Sequence, residues 1–466
     1  MSVSSGSLAN PNSAAARDVA YSIHPYTNLR RHRDTGPLVI TRGEGVYVYD
    51  EDGKDYIEGL AGLWCTALGF GENRLVEAAT AAMHQLPSYH SFGGKAALPT
   101  IDLAERLIGL SPVPMSKVFF ANSGSEANDT AIKLIWYYNN ARGRPEKKKI
   151  ISRHRAYHGV TVASASLTGL VPNHRDFDLP IARILHTDCP HHYRGAEPGE
   201  SEETFADRLA HNLEQLILDE GPETVAAMFA EPVMGAGGVI VPPATYFHKI
   251  QPILERYDVL LVADEVICGF GRTGNWWGSQ TFDLRPDLIT CAKGLSSGYI
   301  PISALLISDP IYQAMLDESD RVGMFGHGFT YSGHPVAAAV ALEAIDIYEE
   351  RDMVGHVRAT APAFQEGLRR FADHPLVGEV RGIGLVAGVE LVRDKATKEP
   401  FDPGLGVAAG LAKRAEAHGL IVRALADTIA FSPPLVITEA EVAMMVDRFG
   451  RALDETWEAV RTEWVA

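Results

Sequence analysis

The chain has 466 residues, 46% of them hydrophobic, and a formal net charge of −17. That is enough apolar material for a large core divided into at least two domains, and the negative balance excludes a nucleic-acid binder, which needs a basic face to neutralise phosphates. No apolar run reaches the length of a membrane span and the N-terminus lacks a basic-then-apolar leader pattern, so a cytoplasmic protein with no membrane partner is expected.

In chain order, the first twenty residues, rich in Ser, Ala, Asn and Gly, read as a mobile tail. A strand over 117–121, a turn over 122–126 and a helix over 127–136 come next. Short apolar runs then alternate with helical ones, with strands at 149–152, 225–230, 259–264, 287–292 and 303–307. Such alternation predicts an α/β fold with a mainly parallel sheet covered by helices. A second unit follows: helices over 336–350 and 357–371, a strand over 384–389, a helix over 406–418 and a closing helix after Thr438. The four cysteines, Cys65, Cys189, Cys268 and Cys291, form no close pair and read as free thiols.

The chemistry concentrates at strand ends. Asp264-Glu265 closes one apolar run, and another delivers Lys293 before Gly294. Lysine traps carbonyls, and a pyridine aldehyde needs a carboxylate to keep its nitrogen protonated, so the pair reads as a pyridoxal phosphate site. Taken alone, Asp264 is an ordinary strand-end carboxylate and Lys293 a basic residue near a turn. The turn Ser123-Gly124-Ser125 at a helix start supplies free N–H groups and a favourable dipole for a phosphate, although Ser123 or Ser125 with Glu126 also fits plain N-capping. In a parallel sheet, ligands sit outside the carboxyl ends of strands, where these three features fall.

Two motifs point elsewhere. Gly269-Phe270-Gly271-Arg272-Thr273-Gly274 matches a dinucleotide fingerprint, but no helical period follows it and two acids precede it. Cys189-Pro190-His191-His192 carries zinc-type ligands without a second pair at a recognisable spacing, so a surface loop and no metal are expected.

The ordered set Asn122-Ser123-Gly124-Ser125-Glu126-Ala127-Asn128, Ala156-Tyr157-His158-Gly159, Glu231-Pro232-Val233, Asp264-Glu265-Val266 through Gly274, and Ala292-Lys293-Gly294 resembles the class III aminotransferases. With Gly62-Leu63-Trp64-Cys65, Thr330-Tyr331-Ser332-Gly333-His334-Pro335 and Ser432-Pro433-Pro434-Leu435-Val436, it looks most like their amine–pyruvate, or omega, branch. The resemblance implies a fold type I pyridoxal phosphate transferase, with a large domain over 71–329 holding a seven-stranded-type sheet. A smaller α+β domain would combine 21–70 with 330–466.

It implies roles as well. Lys293 and Asp264 would be catalytic, and Ser123, Gly124 and Ser125 would hold the phosphate. Tyr157 and Val266 would flank the cofactor ring, while His158 and Glu231 would stand near it. Thr330 would donate to the phosphate of a neighbouring subunit in a homodimer with shared sites, or in a tetramer. Trp64, Phe92 and Tyr157 would wall the substrate pocket, and Arg423 would receive the carboxylate of a keto acid. From the residues alone, His158 is either a support for Tyr157 or the cofactor or a satisfied structural imidazole, Thr330 and Arg423 are strand residues, and Trp64 and Phe92 are core aromatics. Ile267 stands where ornithine- and GABA-type relatives commonly carry Gln, which favours the amine–pyruvate branch.

The expected activity is transfer of an amino group from a primary amine or omega-amino acid to pyruvate, by a ping-pong cycle through pyridoxamine phosphate. A diamine or polyamine transaminase, a glutamate-semialdehyde-type aminomutase and a non-catalytic pyridoxal-phosphate-binding regulator are the alternatives. Complete Lys293, Asp264 and phosphate motifs count against the regulator.

Overall fold

The computed structural model describes residue 8 and residues 10–464. Most of the expected tail is described, and part of it is ordered. Helix α1 (Ala14–Tyr21) is capped by Ser13, whose Oγ accepts from Ala16 N–H, and it buries Ala15. Helix α2 (Leu29–Thr35) follows, capped by Asn28. The tail reading gave weight to small residues and missed the contacts that Asp18 makes with His24 and His32.

Strands β1 (Ile40–Glu44), β2 (Tyr47–Asp50) and β3 (Asp55–Glu58) form an antiparallel meander. The central sheet is built from β4 (Lys117–Ala121), β5 (Lys149–Arg153), β6 (Ile184–Thr187), β7 (Val225–Ala230), β8 (Leu260–Asp264), β9 (Leu288–Cys291) and β10 (Ser303–Ile307). Its order is β4-β10-β9-β8-β7-β5-β6, and β10 alone runs antiparallel to its neighbours. Every residue of β7, β8 and β9 is buried, as a parallel sheet covered on both faces requires. Helix α3 (Gly124–Ala141) leaves β4 directly and is longer at both ends than the sequence indicates.

Helix α4 (Pro335–Glu350) leads to α5 (Met353–Arg369), which begins four residues before the expected start because Asp352 caps it through Gly355 N–H. The expected strand over 384–389 is the second of a pair, β11 (Val377–Ile383) and β12 (Val386–Leu391). Helix α6 (Val407–Ala417) is followed by three short strands, β13 (Leu420–Ile421), β14 (Arg423–Leu425) and β15 (Thr428–Phe431), then by the closing helix α7 (Glu439–Trp464). The chain changes sheets at Val422. β13 pairs parallel with β3 in the N-terminal meander, whereas β14 joins the antiparallel sheet β11-β12-β15-β14. No described helix is long and apolar enough to cross a membrane.

The segment over 269–277 forms turns, and only the four-residue helix Gly278–Thr281 follows the glycines. Buried Arg272 donates from there to Pro433 O at 2.6 Å and Leu385 O at 3.0 Å, binding the segment to the C-terminal sheet. All four cysteines are free. The loop expected on the surface at Cys189–His192 is not there. His191 is buried, 2.8 Å from Glu379 Oε2, and Glu379 and Glu390 both accept from Arg381. Buried charge pairing draws the imidazole inward.

Candidate active site

The carboxyl ends of β4, β8 and β9 open on a cleft of about 670 Å³. Adjacent residues on a strand point to opposite faces, and the two acids at the end of β8 part accordingly. Glu265 turns away and accepts from Ser279 Oγ, Ser279 N–H and Gly278 N–H. Asp264 lines the cleft, fully caged: Oδ2 accepts from His158 Nδ1 at 2.7 Å and Asn128 Nδ2 at 2.8 Å, and Oδ1 accepts from Val266 N–H at 3.1 Å. Burial pushes this carboxyl up, but the bonds from His158, Asn128 and Val266 outweigh it and hold the group below its ordinary value. His158 is therefore a positioning residue for Asp264. Asn128 does the same from the first turns of α3, and it also donates to His158 O at 2.7 Å. Asn128 was visible only as a member of the quoted motif, because its role depends on a partner 136 residues away.

Lys293 lies two residues past β9 in a 3-10 turn, with φ at +47°, a strained setting of the kind found at functional sites. Its amine lines the cleft and makes no hydrogen bond or ion pair among the described residues. Burial lowers its pKa from the usual lysine range, and Asp264 acts in the opposite sense. Glu231, beyond β7, holds the loop that carries Tyr157. Its Oε1 accepts from Tyr157 N–H and its Oε2 from Gly235 N–H, both at 3.0 Å.

At the start of α3, Ser123 Oγ accepts from Glu126 N–H, which leaves the N–H groups of Gly124 and Ser125 without a backbone acceptor. A Cβ on Gly124 would stand 3.1 Å from Val266 Cγ2, so a side chain there would crowd the wall that Val266 presents. Ser125 Oγ accepts from Val160 N–H at 3.1 Å, drawing the Tyr157–Val160 loop to the helix start. Free donors at a helix N-terminus, an ionised caged carboxylate and an unpaired amine in one cleft fit pyridoxal phosphate.

The outer cleft brings together Trp64, Tyr157 and Arg423, as expected, and adds Tyr26 and Ile267. Tyr26 escaped the sequence reading because nothing local marks it. It reaches the cleft through the fold, accepting from Asn173 Nδ2 at 2.7 Å and lying 5.8 Å beneath the Arg423 guanidinium. Trp64 sits in a strained loop with Ala61 and Gly62 also at positive φ. Two expected residues are elsewhere: Phe92 is 49% exposed and Thr330 lies in an exposed turn, and neither lines this cleft.

The Trp64 loop leaves β3 at Glu58, a buried carboxyl that accepts from Leu60 N–H at 2.9 Å. Burial lifts its pKa to about 7, with the backbone donors of Leu60 and Gly62 opposing. The folded state then holds a proton that the unfolded chain releases near the ordinary glutamate value, so stability falls as pH rises toward 7 and is lowest above it. Glu58→Gln should therefore raise the thermal unfolding midpoint at pH 8, by an amount equivalent to about 3 kcal/mol, and hardly change it at pH 4.5. A difference independent of pH would assign the effect to packing.

A family model described as Aminotransferase class-III matches residues 29–453. Among curated proteins, gamma aminobutyrate transaminase 3, chloroplastic, of Solanum lycopersicum is 52% identical over 96% of this chain and 87% of its own length. The mitochondrial gamma-aminobutyrate transaminase 1 of Oryza sativa subsp. japonica is 54% identical over 94% and 85%. Among solved structures, the omega transaminase of Pseudomonas jessenii in complex with PMP is 57% identical, covers 96% of this chain and 99% of its own, and superposes with a TM-score of 0.95. A thermostable omega transaminase variant with a Trp, a Phe and an Arg replaced, engineered for asymmetric synthesis of enantiopure bulky amines, is likewise 57% identical, with a TM-score of 0.95 over 97% of this chain and 100% of that one. The cleft and these matches agree, and the chain belongs to the class III aminotransferases, pyridoxal-phosphate-dependent enzymes of fold type I.

Proposed function

We propose that the enzyme moves an amino group from a primary amine or omega-amino acid to pyruvate, using one cleft for both substrates in turn. The observation that carries this reading is Arg423. It is half-buried in the cleft, flanked by Tyr26 and Tyr157, and has no carboxylate partner among the described residues. A buried guanidinium without an acid awaits one, and its planar fork matches the carboxylate of a keto acid. Arg423 begins the three-residue strand β14, just after the chain changes sheets at Val422, a short support from which its long side chain can swing away when an apolar amine enters. The engineered relative supports the assignment: its replaced Trp, Phe and Arg have the types and mutual spacings of Trp64, Phe92 and Arg423.

Bound pyridoxal phosphate supplies an aldehyde and an electron-withdrawing ring. Asp264, held ionised by His158 and Asn128, would pair with the ring nitrogen, and the N–H groups at the start of α3 would hold the phosphate. Lys293 Nζ would carry the cofactor between turnovers and move the proton taken from the amine-bearing carbon of the donor. Trp64, Tyr157 and Ile267, which line the cleft, would exclude water around that carbon.

The same reading makes the enzyme a homodimer with shared sites. Phe92 and Thr330, which the cleft lacks, lie together on the surface, since a Cβ on Gly328 would stand 3.0 Å from Phe92 Cζ and Thr330 follows two residues on. One surface presenting both residues suits delivery into the cleft of a second copy. A GABA donor is the second reading, favoured by the names of the plant relatives, and Arg423 would serve its carboxylate equally well.

Arg423→Ala tests the role. It should lower kcat/KM for pyruvate, and for carboxylate-bearing donors, by about thirty- to 150-fold, the cost of roughly 2–3 kcal/mol for a lost charge-assisted pair. The half-reaction with a carboxylate-free aryl-alkyl amine should change far less. Equal losses with both donor types would make Arg423 structural.

A further inference from the structure

Outside the cleft, two imidazoles and a carboxylate converge in the N-terminal segment. Asp18 of α1 has Oδ2 2.8 Å from Nε2 of His24 and 3.0 Å from Nε2 of His32, a residue of α2. Its Oδ1 lies 3.0 Å from the same His24 nitrogen. The two rings stand 4.1 Å apart between centroids, tilted by 31°. All three ligand atoms fall within 4.8 Å of one another.

We propose that Asp18, His24 and His32 form a divalent metal site, with zinc as the ion it suits, that straps α1 to α2 beside the active-site cleft. Two imidazoles and one carboxylate are a set that zinc takes with water in the fourth position. Tetrahedral zinc with bonds near 2.0–2.2 Å separates its donors by about 3.3 Å, so the carboxylate oxygen, now 2.8 and 3.0 Å from the two nitrogens, needs to spread from each by only a few tenths of an ångström, and the two nitrogens already lie within 4.8 Å of each other. His32 is buried at 9% exposure, while Asp18 and His24 keep 24% and 33%, which leaves one side open for entry of the ion and for its water. The other cluster of this kind among the described residues, His191 with Glu379 and Glu390, is already occupied: Arg381 pairs with both carboxylates and Arg194 with Glu390. Two fixed cations there repel a third. Among the described residues the Asp18 cluster has no arginine or lysine paired to it, and the carboxylate bonds there only to the two histidines.

The placement has a structural consequence. Tyr26 lies between His24 and His32 in the chain and lines the cleft under Arg423. An ion bound by those histidines closes the loop on both sides of Tyr26 and holds it in place.

The experiment uses holoenzyme freed of metal by a chelator, which is then removed. Zinc ion is titrated in competition with a chromophoric chelator into the unaltered enzyme and into Asp18→Asn, His24→Gln and His32→Gln. The expected result is one tight equivalent per chain in the unaltered enzyme, weakened at least about a hundredfold in each variant, since even the loss of an outer-shell partner costs ten- to a hundredfold. His24 is partly exposed, and a metal-free thermal midpoint unchanged in His24→Gln separates ligand loss from misfolding. Absence of a tight equivalent in the unaltered enzyme, or its retention in a folded His24→Gln, overturns the proposal.

Discussion

Replacing Lys293 by alanine should abolish turnover, lowering the rate by roughly 10⁴-fold or more, because one amine both anchors the carbonyl and moves the proton. Among the described residues, the other lysine or arginine side chains lining the cleft are Arg155 and Arg423, and a guanidinium does not shed its proton for such work. The amine is prepared for the task by burial, which lowers its pKa, and by a strained left-handed turn that aims it into the cleft. The variant should keep its fold and bind the cofactor without a borohydride-trappable attachment. Rates within tenfold of the unaltered enzyme, or a trappable lysine elsewhere in the variant, would move the nucleophile away from position 293.

Asp264→Asn should keep the fold and lose about a thousandfold in kcat, the scale seen when a preorganised electrostatic partner is removed. The amide has nearly the shape of the carboxylate and retains acceptor capacity for His158 and Val266, so secondary structure and thermal midpoint should change little. What disappears is the negative charge that three donors hold in place against burial. An amide cannot keep a pyridine nitrogen protonated, and the ring then withdraws electrons poorly. Steady-state rates with a saturating amine and pyruvate measure the loss, and turnover near normal would remove Asp264 from the chemistry.

Much of this site is legible in the sequence because its parts fall at strand ends. β4, β7 and β10 have the bounds that the apolar runs indicate: β7 and β10 are buried throughout, and β4, exposed at Lys117, is delimited by the turn that follows it. β11 stayed hidden for the opposite reason. Its Glu379 and Arg381 look like solvent-facing residues, yet they are drawn inward by pairing with His191 and Glu390. The same network moved His191 from an expected surface loop to the interior.

Arg423 was found by resemblance, but reading it as a strand residue does not reveal the switch of sheets at Val422 that sets it at the cleft. Tyr26 and the bonds from His158 and Asn128 to Asp264 could not be read locally, because each depends on partners more than a hundred residues away. Phe92 and Thr330 carry the right residue types at the right places in the chain. Their place on the surface rather than in this cleft is a property of how the chain folds, and of the second copy proposed to meet it.

The central claim is that one cleft accepts a carboxylate-free amine and then a keto acid that Arg423 holds. Its most direct measurement follows alanine and ketone formation by the holoenzyme given a primary aryl-alkyl amine and pyruvate. Equal amounts of both products, formed at a rate that saturates in each substrate, are expected. Failure to form alanine from pyruvate with that amine, β-alanine or GABA as donor would contradict the account.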